Sequence, residues 1–269
     1  MTKQPVQTHL LAVDQFYSLL LEEADSSELT ADEKALLGST HLYYGRYLNP
    51  ALRNYFVETV IPHIARATDY LSQVPDAPVI LDLGCGLGMQ SFIFANQGAK
   101  VVAVDIREET IALARKRKAW YEHKLGKALD VEFVHCDFRK ASVDDFDTRF
   151  DCLFSMSAFS YITPLADTVA LLSALLKEDG RLFLYESNAT HVISAMKGSD
   201  LPTPADTLAA FAAHGFEKDF LYGGCALPGL FWKFAFLNKP LLHPIDNVLR
   251  TQLRLSINYI LGMTRSSNR

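Results

Sequence analysis

Three glycines stand at alternate positions after an acidic residue, in the segment Asp82-Leu83-Gly84-Cys85-Gly86-Leu87-Gly88. An apolar run over 79–83 leads into this segment, and a helical pattern follows it. Glycine lets the backbone turn tightly and lets a ligand approach without a Cβ in the way, and the N–H groups at a helix N-terminus point at such a ligand. The segment therefore predicts a ligand-binding loop, and the alternative is a plain tight turn between a strand and a helix.

The elements that must position this loop alternate between short apolar runs and helical patterns. We predict strands over 79–83, 100–105, 131–135, 150–155 and 181–186, with helices over 89–97, 107–125 and 165–177. The tail adds a helix near 205–213 and strands near 216–222 and 257–264, while 226–254 is ambiguous. This alternation predicts an α/β fold, with a doubly wound, mostly parallel sheet and helices on both faces.

The first 75 residues predict an N-terminal helical cap, which leaves 76–269 for the ligand-binding domain. Residues 9–22 carry apolar side chains at helical spacing, and Thr30 with Glu33 matches a capping box. Asn49 followed by Pro50 is typical of a helix start, and we expect that helix to run to about residue 71 with a bend at Pro62.

A polar and aromatic segment over 41–47 lies between the predicted helices of the cap. It contains His41, Tyr43 and Tyr44 next to a glycine, and it predicts a loop or lid. The two tyrosines either pack the cap onto the sheet or close over the bound ligand.

The D-x-G-x-G-x-G loop resembles motif I of the class I S-adenosylmethionine-dependent methyltransferases. Residues 150–157, which read Phe-Asp-Cys-Leu-Phe-Ser-Met-Ser, resemble motif IV of that family, and 256–265 resembles the last strand of its seven-stranded sheet. A dinucleotide fingerprint would instead need a glycine where Met89 stands. The resemblance implies a seven-stranded sheet, S-adenosylmethionine as the cofactor and S-adenosylhomocysteine as its product.

The resemblance extends to acidic residues that follow the second and third predicted strands. Asp105 lies 23 residues after Asp82, which suits a carboxylate that accepts hydrogen bonds from both ribose hydroxyls. Asp137 and Phe138 match the place where family members contact the adenine, although each aspartate could be an ordinary strand-end or turn acid. The cofactor-binding residues implied by the resemblance are Asp82, Gly84, Cys85, Gly86, Gly88, Met89, Gln90, Asp105, Ile106, Asp137, Phe138, Ser155 and, from the lid, Tyr44.

Methyl transfer from a sulfonium is an in-line displacement, so the protein mainly has to hold the donor and the acceptor close, aligned and dehydrated. A base is needed only when the acceptor must lose a proton. The candidates are His191, which follows the fifth predicted strand, and Tyr161, which lies just beyond the segment like motif IV. The alternative for His191 is a surface loop histidine. We expect Glu186 to be a strand-end acid that faces solvent.

The acceptor is the least constrained part of the prediction. Family members that methylate amino groups often carry Asn/Asp-Pro-Pro-aromatic after the fourth strand, where this chain has Ser-Met-Ser-Ala over 155–158. That difference and a formal net charge of −5 argue against nucleic acid and favour a small molecule, while methylation of another kind of macromolecule stays open. The aromatic-rich stretch 227–237 predicts a core segment, a wall for an apolar or lipid-like acceptor, or a contact with a membrane surface or a second copy.

Composition sets broad limits on this chain of 269 residues, of which 49% are hydrophobic. The four cysteines show neither a metal-ligand spacing nor a disulfide framework, so we expect no metal and a reducing, cytoplasmic location. No targeting or transmembrane segment is predicted. The oligomeric state is not indicated.

Two other classes of function remain open at this point. One is an enzyme of the same fold with different chemistry, such as aminopropyl transfer or hydride transfer. The other is a non-catalytic module that no longer binds the cofactor, although Asp82, Asp105 and the three loop glycines argue against it.

Overall fold

A seven-stranded sheet forms the centre of the molecule in the computed structural model, which describes residues 4–39, 43–74 and 77–266. The spatial order is β3-β2-β1-β4-β5-β7-β6, and β7 is antiparallel to both of its neighbours. The predicted doubly wound, mostly parallel sheet is therefore confirmed. The strands are β1 (Val79–Leu83), β2 (Lys100–Asp105), β3 (Val131–His135), β4 (Phe150–Met156), β5 (Leu176–Ser187), β6 (Phe216–Gly223) and β7 (Asn258–Arg265).

Helices cover both faces of this sheet. Five of the described helices precede β1: α1 (Gln4–Asp25), α2 (Ala31–Leu37), α3 (Tyr43–Leu48), α4 (Pro50–Thr59) and α5 (Ile61–Leu71). The others are α6 (Met89–Asn96), α7 (Glu108–Leu125), α8 (Leu165–Leu175), α9 (Val192–Met196), α10 (Pro204–Ala212) and α11 (Ala235–Leu249). Three-residue or longer 3₁₀ turns lie over 143–145, 159–161, 229–234 and 253–255.

Alternate residues of each central strand enter different cores, because successive side chains of a strand point to opposite faces. In β2, Val101 and Ala103 pack in one core and Val102 and Val104 in the other. The first core also contains side chains from α1, α5, α6 and α7, whereas the second contains side chains from α8 and α10. The N-terminal helices thus share a core with one face of the sheet. The division of the chain at residue 75 stays a prediction.

A buried ion pair connects the first helix to the helix after β2. The Arg117 guanidinium of α7 donates from Nε and Nη2 to the two carboxylate oxygens of Glu23 in α1, at 2.8 and 2.9 Å. Arg117 is 0% exposed and Glu23 is 1% exposed. The same guanidinium donates to the carbonyl of Leu87, so one side chain joins α1, α7 and the glycine loop.

The cap differs from the prediction in two places. Residues 43–48 form a helix rather than a loop, because Tyr44 and Tyr47 are buried and Tyr47 packs against Phe56 at a ring distance of 5.7 Å. His41 lies outside the described residues. The predicted long helix is interrupted at Val60, since Pro62 lacks an N–H and is accommodated in the first turn of a new helix, α5.

The ambiguous stretch 226–254 is mostly helical, and a short helix, α9, was not predicted at all. Between β3 and β4 the chain forms only the 3₁₀ turn at 143–145. The remaining predicted elements agree with the structure to within a few residues at their ends, apart from the start of β5, which lies at Leu176 instead of 181.

Candidate functional site

The glycine loop joins β1 to α6 at the carboxyl edge of the sheet. All three of its glycines have left-handed backbones, with φ of 74° at Gly84, 53° at Gly86 and 81° at Gly88. A Cβ on Gly84 would lie 2.1 Å from Cβ of Ala158, in the loop after β4, and a Cβ on Gly88 would lie 2.5 Å from the Phe133 ring. Both the backbone angles and the close packing therefore require glycine.

The Asp105 carboxylate is held in place by the loop and by the start of α7. Its Oδ2 accepts a hydrogen bond from the Gly86 N–H at 2.9 Å. Its Oδ1 accepts from the Arg107 N–H at 2.9 Å and from the Thr110 hydroxyl at 3.3 Å. Because two of these donors are backbone groups, the orientation of this carboxylate is fixed by the chain itself.

Two adjoining cavities of about 250 and 260 Å³ form a cleft around these residues. They share Gly84, Asp105, Arg107 and Ala158. We call their union the cofactor cleft. The first cavity is also lined by Leu83, Val104, Ile106, Cys136, Asp137, Phe138, Arg139, Tyr161 and Ile162. The second is also lined by Tyr44, Asp82, Cys85, Gly86, Gln90, Phe154, Met156 and Ser157.

Asp82 lies at the bottom of the second cavity and is 2% exposed. Its Oδ2 accepts a hydrogen bond from the Ser91 hydroxyl at 2.5 Å. Burial raises the pKa of Asp82 to about 7, with a further increase from the nearby charge of Asp105, while the bond from Ser91 acts in the opposite direction. Asp82 is therefore an acid that can exchange a proton near neutral pH.

Tyr44 of α3 closes one side of the second cavity. It is 4% exposed, and its hydroxyl donates to Oε1 of Gln90 at 2.8 Å. Burial raises the pKa of this phenol above its usual value. The contact brings together two residues that the sequence predicts for cofactor binding, and it shows that Tyr44 both packs the cap and faces the cleft.

The first cavity contains Asp137 and Phe138, the two residues expected around the adenine. Ile106, Asp137 and Phe138 line it together with Tyr161, one of the two candidate bases. The Arg139 guanidinium donates to both oxygens of Asp137 and lowers its pKa to about 2, so this carboxylate is ionised at neutral pH. The carboxylate oxygens are thus already partly engaged by an exposed partner.

Four predicted site residues do not line the cofactor cleft. Gly88 and Met89 are buried at the start of α6, and Ser155 is 0% exposed. His191 is half-buried at the N-terminal end of α9, where partial burial lowers the pKa of its imidazole. The roles predicted for these four residues, like those of the residues within the cleft, stay predictions.

Glu186 is a residue that the sequence interpretation got wrong. It is 0% exposed rather than on solvent. Its Oε1 accepts from the Ser155 hydroxyl at 3.0 Å and from the N–H groups of Ala158 and Phe159 at 3.3 and 3.2 Å. Its Oε2 accepts from the N–H and the hydroxyl of Ser160 at 3.3 and 2.9 Å. The carboxylate therefore organises the loop after β4 that packs against Gly84.

Two residues near the cleft were missed because their patterns point elsewhere. Arg107 lines both cavities, but in sequence it reads only as the residue after a strand. The Arg117 guanidinium donates to the Leu87 carbonyl of the glycine loop. In sequence, however, Arg117 lies in the basic run Arg115-Lys116-Arg117-Lys118, which predicts a solvent-exposed helix face. Nothing in the sequence next to Arg117 indicates that it is buried while its basic neighbours are not.

Trp232, in the aromatic stretch 227–237, contributes to a small core rather than to the cofactor cleft. Trp232 is 0% exposed and packs with Tyr55, Cys225 and Leu242. Its ring meets His243 edge-on at 5.1 Å. For Trp232 the structure thus favours the core interpretation over the acceptor wall.

Part of the chain is similar in sequence to known methyltransferases. Residues 80–180 match the family model described as a methyltransferase domain. The chain is 36% identical over 113 residues to the cypemycin N-terminal methyltransferase of Streptomyces sp, covering 40% of this chain and 42% of that protein. It is 34% identical over 128 residues to the ubiquinone biosynthesis O-methyltransferase of Xylella fastidiosa, covering 45% and 48%. The chain thus spans less than half the length of these two relatives.

A solved structure extends the likeness over most of the fold. The magnesium protoporphyrin IX methyltransferase of Synechocystis PCC 6803, crystallised with bound S-adenosylhomocysteine, superposes with a TM-score of 0.59. The match covers 86% of this chain and 97% of that one at 16% identity. Residues 80–180 therefore match a methyltransferase domain, the chain has the class I methyltransferase fold that its sequence predicts, and S-adenosylmethionine is the cofactor of that class.

Two absences hold for the described ranges 4–39, 43–74 and 77–266. Within these ranges, no group of three or more His, Cys, Asp or Glu residues could hold a metal ion. None of the helices in the same ranges is long and apolar enough to cross a membrane.

Proposed function

We propose that this protein transfers the methyl group of S-adenosylmethionine to a small, apolar acceptor. The observation that carries this proposal is the Asp105 carboxylate, which the Gly86 N–H holds at the junction of two cavities. An ionised carboxylate suits a ribose diol, because it accepts from two hydroxyls at once.

The cofactor cleft fits this ligand in chemistry as well as in outline. The left-handed backbones of Gly84 and Gly86 keep that wall of the cleft free of side chains. Asp105, and Asp82 in its ionised form, supply negative charge beside a ligand that carries a sulfonium and an ammonium. Phe138 and Ile106 offer apolar surface to an adenine ring, next to Asp137 as an acceptor for its amino group.

The bound cofactor supplies an activated methyl group on a positively charged sulfur. The chain's own contribution is positioning and exclusion of water, which is what an in-line displacement requires. Tyr44, through its bond to Gln90, closes the second cavity, and Glu186 holds the loop after β4 against Gly84. The roles of these residues are therefore to bind and to align.

An apolar acceptor agrees with the walls of the second cavity. Phe154 and Met156 line it on the side away from Asp105, and both belong to β4. The relative from Xylella fastidiosa is named for ubiquinone biosynthesis, which is consistent with an acceptor of this kind. If the acceptor must lose a proton, Tyr161 is the candidate base that lines the cleft.

Calorimetric titration with S-adenosylmethionine and S-adenosylhomocysteine tests the proposal. We expect saturable binding by the wild type and loss of it in Gly86→Val. In Asp105→Ala we expect binding weaker by about ten- to a hundredfold, from the loss of hydrogen bonds to a charged group.

Matched controls separate loss of the site from loss of the fold. Gly98→Val introduces the same side chain at a φ of 98°, where a Cβ meets nothing within 4 Å. Glu132→Ala removes an exposed carboxylate from β3. Both controls should bind the cofactor like the wild type. No binding by folded wild-type protein, or equal losses in the controls, would contradict the proposal.

A further inference from the structure

The exposed large apolar side chains of this protein are concentrated in two places. Among the residues whose side chains are described, Ile106 and Tyr161 line the cofactor cleft. The others lie on α9, on α11 and on the 3₁₀ turns on either side of α11. They are Val192, Ile193, Met196, Phe231, Leu241, Ile245, Val248 and Leu255. Exposed apolar residues are normally scattered over a surface, so such a concentration indicates an interaction surface.

The two faces of α11 have different environments. Leu242 and Asp246 face inward, where Asp246 accepts from the N–H groups of Ala226 and Leu227 at 2.9 and 2.8 Å. Leu241 and Val248 lie on the outer face and are 64% and 69% exposed. With Ile245, their spacing of four and three residues forms one apolar stripe along the helix.

The short helix α9 lies next to the end of this stripe. The Asn188 side chain, which precedes α9, donates to the carbonyls of Leu253 and Ser256 at 2.6 and 2.9 Å. The turn at 253–255 therefore packs against the base of α9. We call the exposed side chains of α9, α11 and the two turns the apolar surface.

The apolar surface lies at the same edge of the sheet as the cofactor cleft. β5 runs parallel to β1 and β4 and ends at Ser187, just before Asn188. β7 is antiparallel and begins at Asn258, paired with Ser187. Both connections to the apolar surface thus leave the sheet at the carboxyl ends of its parallel strands, where Gly84 and Asp105 also lie.

The charge of this part of the chain differs from that of the whole. Residues 226–257 contain four basic residues, Lys233, Lys239, Arg250 and Arg254, and a single acid, Asp246. That acid is 5% exposed and bonded inward, whereas the chain as a whole has a formal net charge of −5. An apolar surface on a positively charged segment of an acidic protein complements an anionic lipid headgroup layer.

We propose that the apolar surface docks this protein on an anionic phospholipid bilayer, with α11 lying in the plane of the interface. Leu241, Ile245 and Val248 enter the boundary between headgroups and acyl chains, and the exposed Arg254 contacts the phosphates. The cofactor cleft then opens toward the bilayer edge, where an apolar acceptor dissolves. Docking itself does not depend on methyl transfer.

Sedimentation with vesicles, without cofactor, tests the docking. The protein should bind phosphatidylcholine vesicles that contain phosphatidylglycerol, bind phosphatidylcholine alone much more weakly, and be released by salt. Leu241→Ser/Val248→Ser should lower the partition coefficient by at least about thirtyfold, since two exposed apolar side chains lose their insertion. Arg254→Ser should lower it by about fivefold, and only at low salt.

The controls distinguish this surface from charge in general and from failure to fold. Lys100→Ser/Lys127→Ser removes two positive charges at the opposite, amino edge of the sheet, and it should bind vesicles like the wild type. Every variant should keep the wild-type unfolding midpoint and affinity for S-adenosylmethionine. The proposal is overturned if the wild type does not bind anionic vesicles, or if Leu241→Ser/Val248→Ser leaves binding unchanged. It is also overturned if the protein does not bind vesicles and Leu241→Ser/Val248→Ser instead dissociates a dimer.

Discussion

The contact between the glycine loop and the loop after β4 allows a quantitative test through Gly84→Ala. The new Cβ would lie 2.1 Å from Cβ of Ala158, whereas two carbon atoms in contact are about 3.5–4 Å apart. One of the loops must then move by roughly 1.5 Å. Movement is costly because Glu186 holds the second loop with four hydrogen bonds.

Two costs add up in this variant. A non-glycine residue at a left-handed φ costs about 1–2 kcal/mol, and overpacking adds about 1–3 kcal/mol. We therefore expect Gly84→Ala to lower the free energy of unfolding by about 2–5 kcal/mol and to abolish cofactor binding. Gly126→Ala is the matched control, because its φ is 65° and a Cβ there meets nothing within 4 Å, so it should cost only about 1–2 kcal/mol.

The second variant, Ala158→Gly, removes the Cβ that the new side chain of Gly84→Ala would meet. On its own it should cost about 0.5–1 kcal/mol through the entropy of the unfolded chain. Combined with Gly84→Ala, it should restore about 1–3 kcal/mol of stability, together with part of the cofactor affinity. Urea unfolding and calorimetric titration of the four proteins measure both effects. A double variant no better than Gly84→Ala would refute the packing argument.

Three further predictions concern buried carboxylates. Because the pKa of Asp82 is raised to about 7 in the folded protein, from about 3.9 when unfolded, the stability that it contributes at low pH is lost as the pH rises toward 7. The difference in free energy of unfolding between the wild type and Asp82→Asn, measured by urea unfolding at several pH values, should therefore fall by up to ~1.4 kcal/mol per pH unit as the pH rises toward 7. Glu23→Gln should lower the free energy of unfolding by about 3–5 kcal/mol, because Arg117 stays buried without its carboxylate. The double variant Glu23→Leu/Arg117→Met leaves no unpaired buried charge and should be less destabilised. An equal loss of stability in the single and the double variant would contradict this reasoning. Glu186→Gln should lower the free energy of unfolding by about 1–3 kcal/mol, since a backbone N–H faces the amide nitrogen whichever carboxylate oxygen that nitrogen replaces. Unchanged stability together with unchanged cofactor affinity would argue against the role of Glu186 in the loop.

The parts of the fold that follow local rules could be predicted from the sequence. Strands β1, β2 and β3 have their predicted bounds, because buried parallel strands read as short apolar runs between turns. The glycine loop and Asp105 were predicted because their residue types are dictated by backbone angle and by charge. Each of these signals lies within a few residues of the feature that it predicts.

The features that were missed depend on contacts between distant parts of the chain. Tyr44 belongs to a helix and not to a loop because aromatic residues from α1 and α4 pack around the neighbouring Tyr47. Glu186 is buried because the end of β4 and the loop after it bring it donors from 26 to 31 residues away. Arg117 pairs with Glu23 across 94 residues. No spacing rule within one element describes such pairs.

The ion pair between α1 and α7 has a consequence for what can be cut from this chain. The matched region, 80–180, contains the Arg117 guanidinium but not the carboxylate that neutralises it. It also ends within β5, before Glu186 and before the two strands on its far side. A fragment with those ends would retain an uncompensated cation beneath the glycine loop and an exposed sheet edge. The region that matches the family model is therefore smaller than the unit that unfolds cooperatively. Amide hydrogens in α1 and in the glycine loop should exchange through the same opening event.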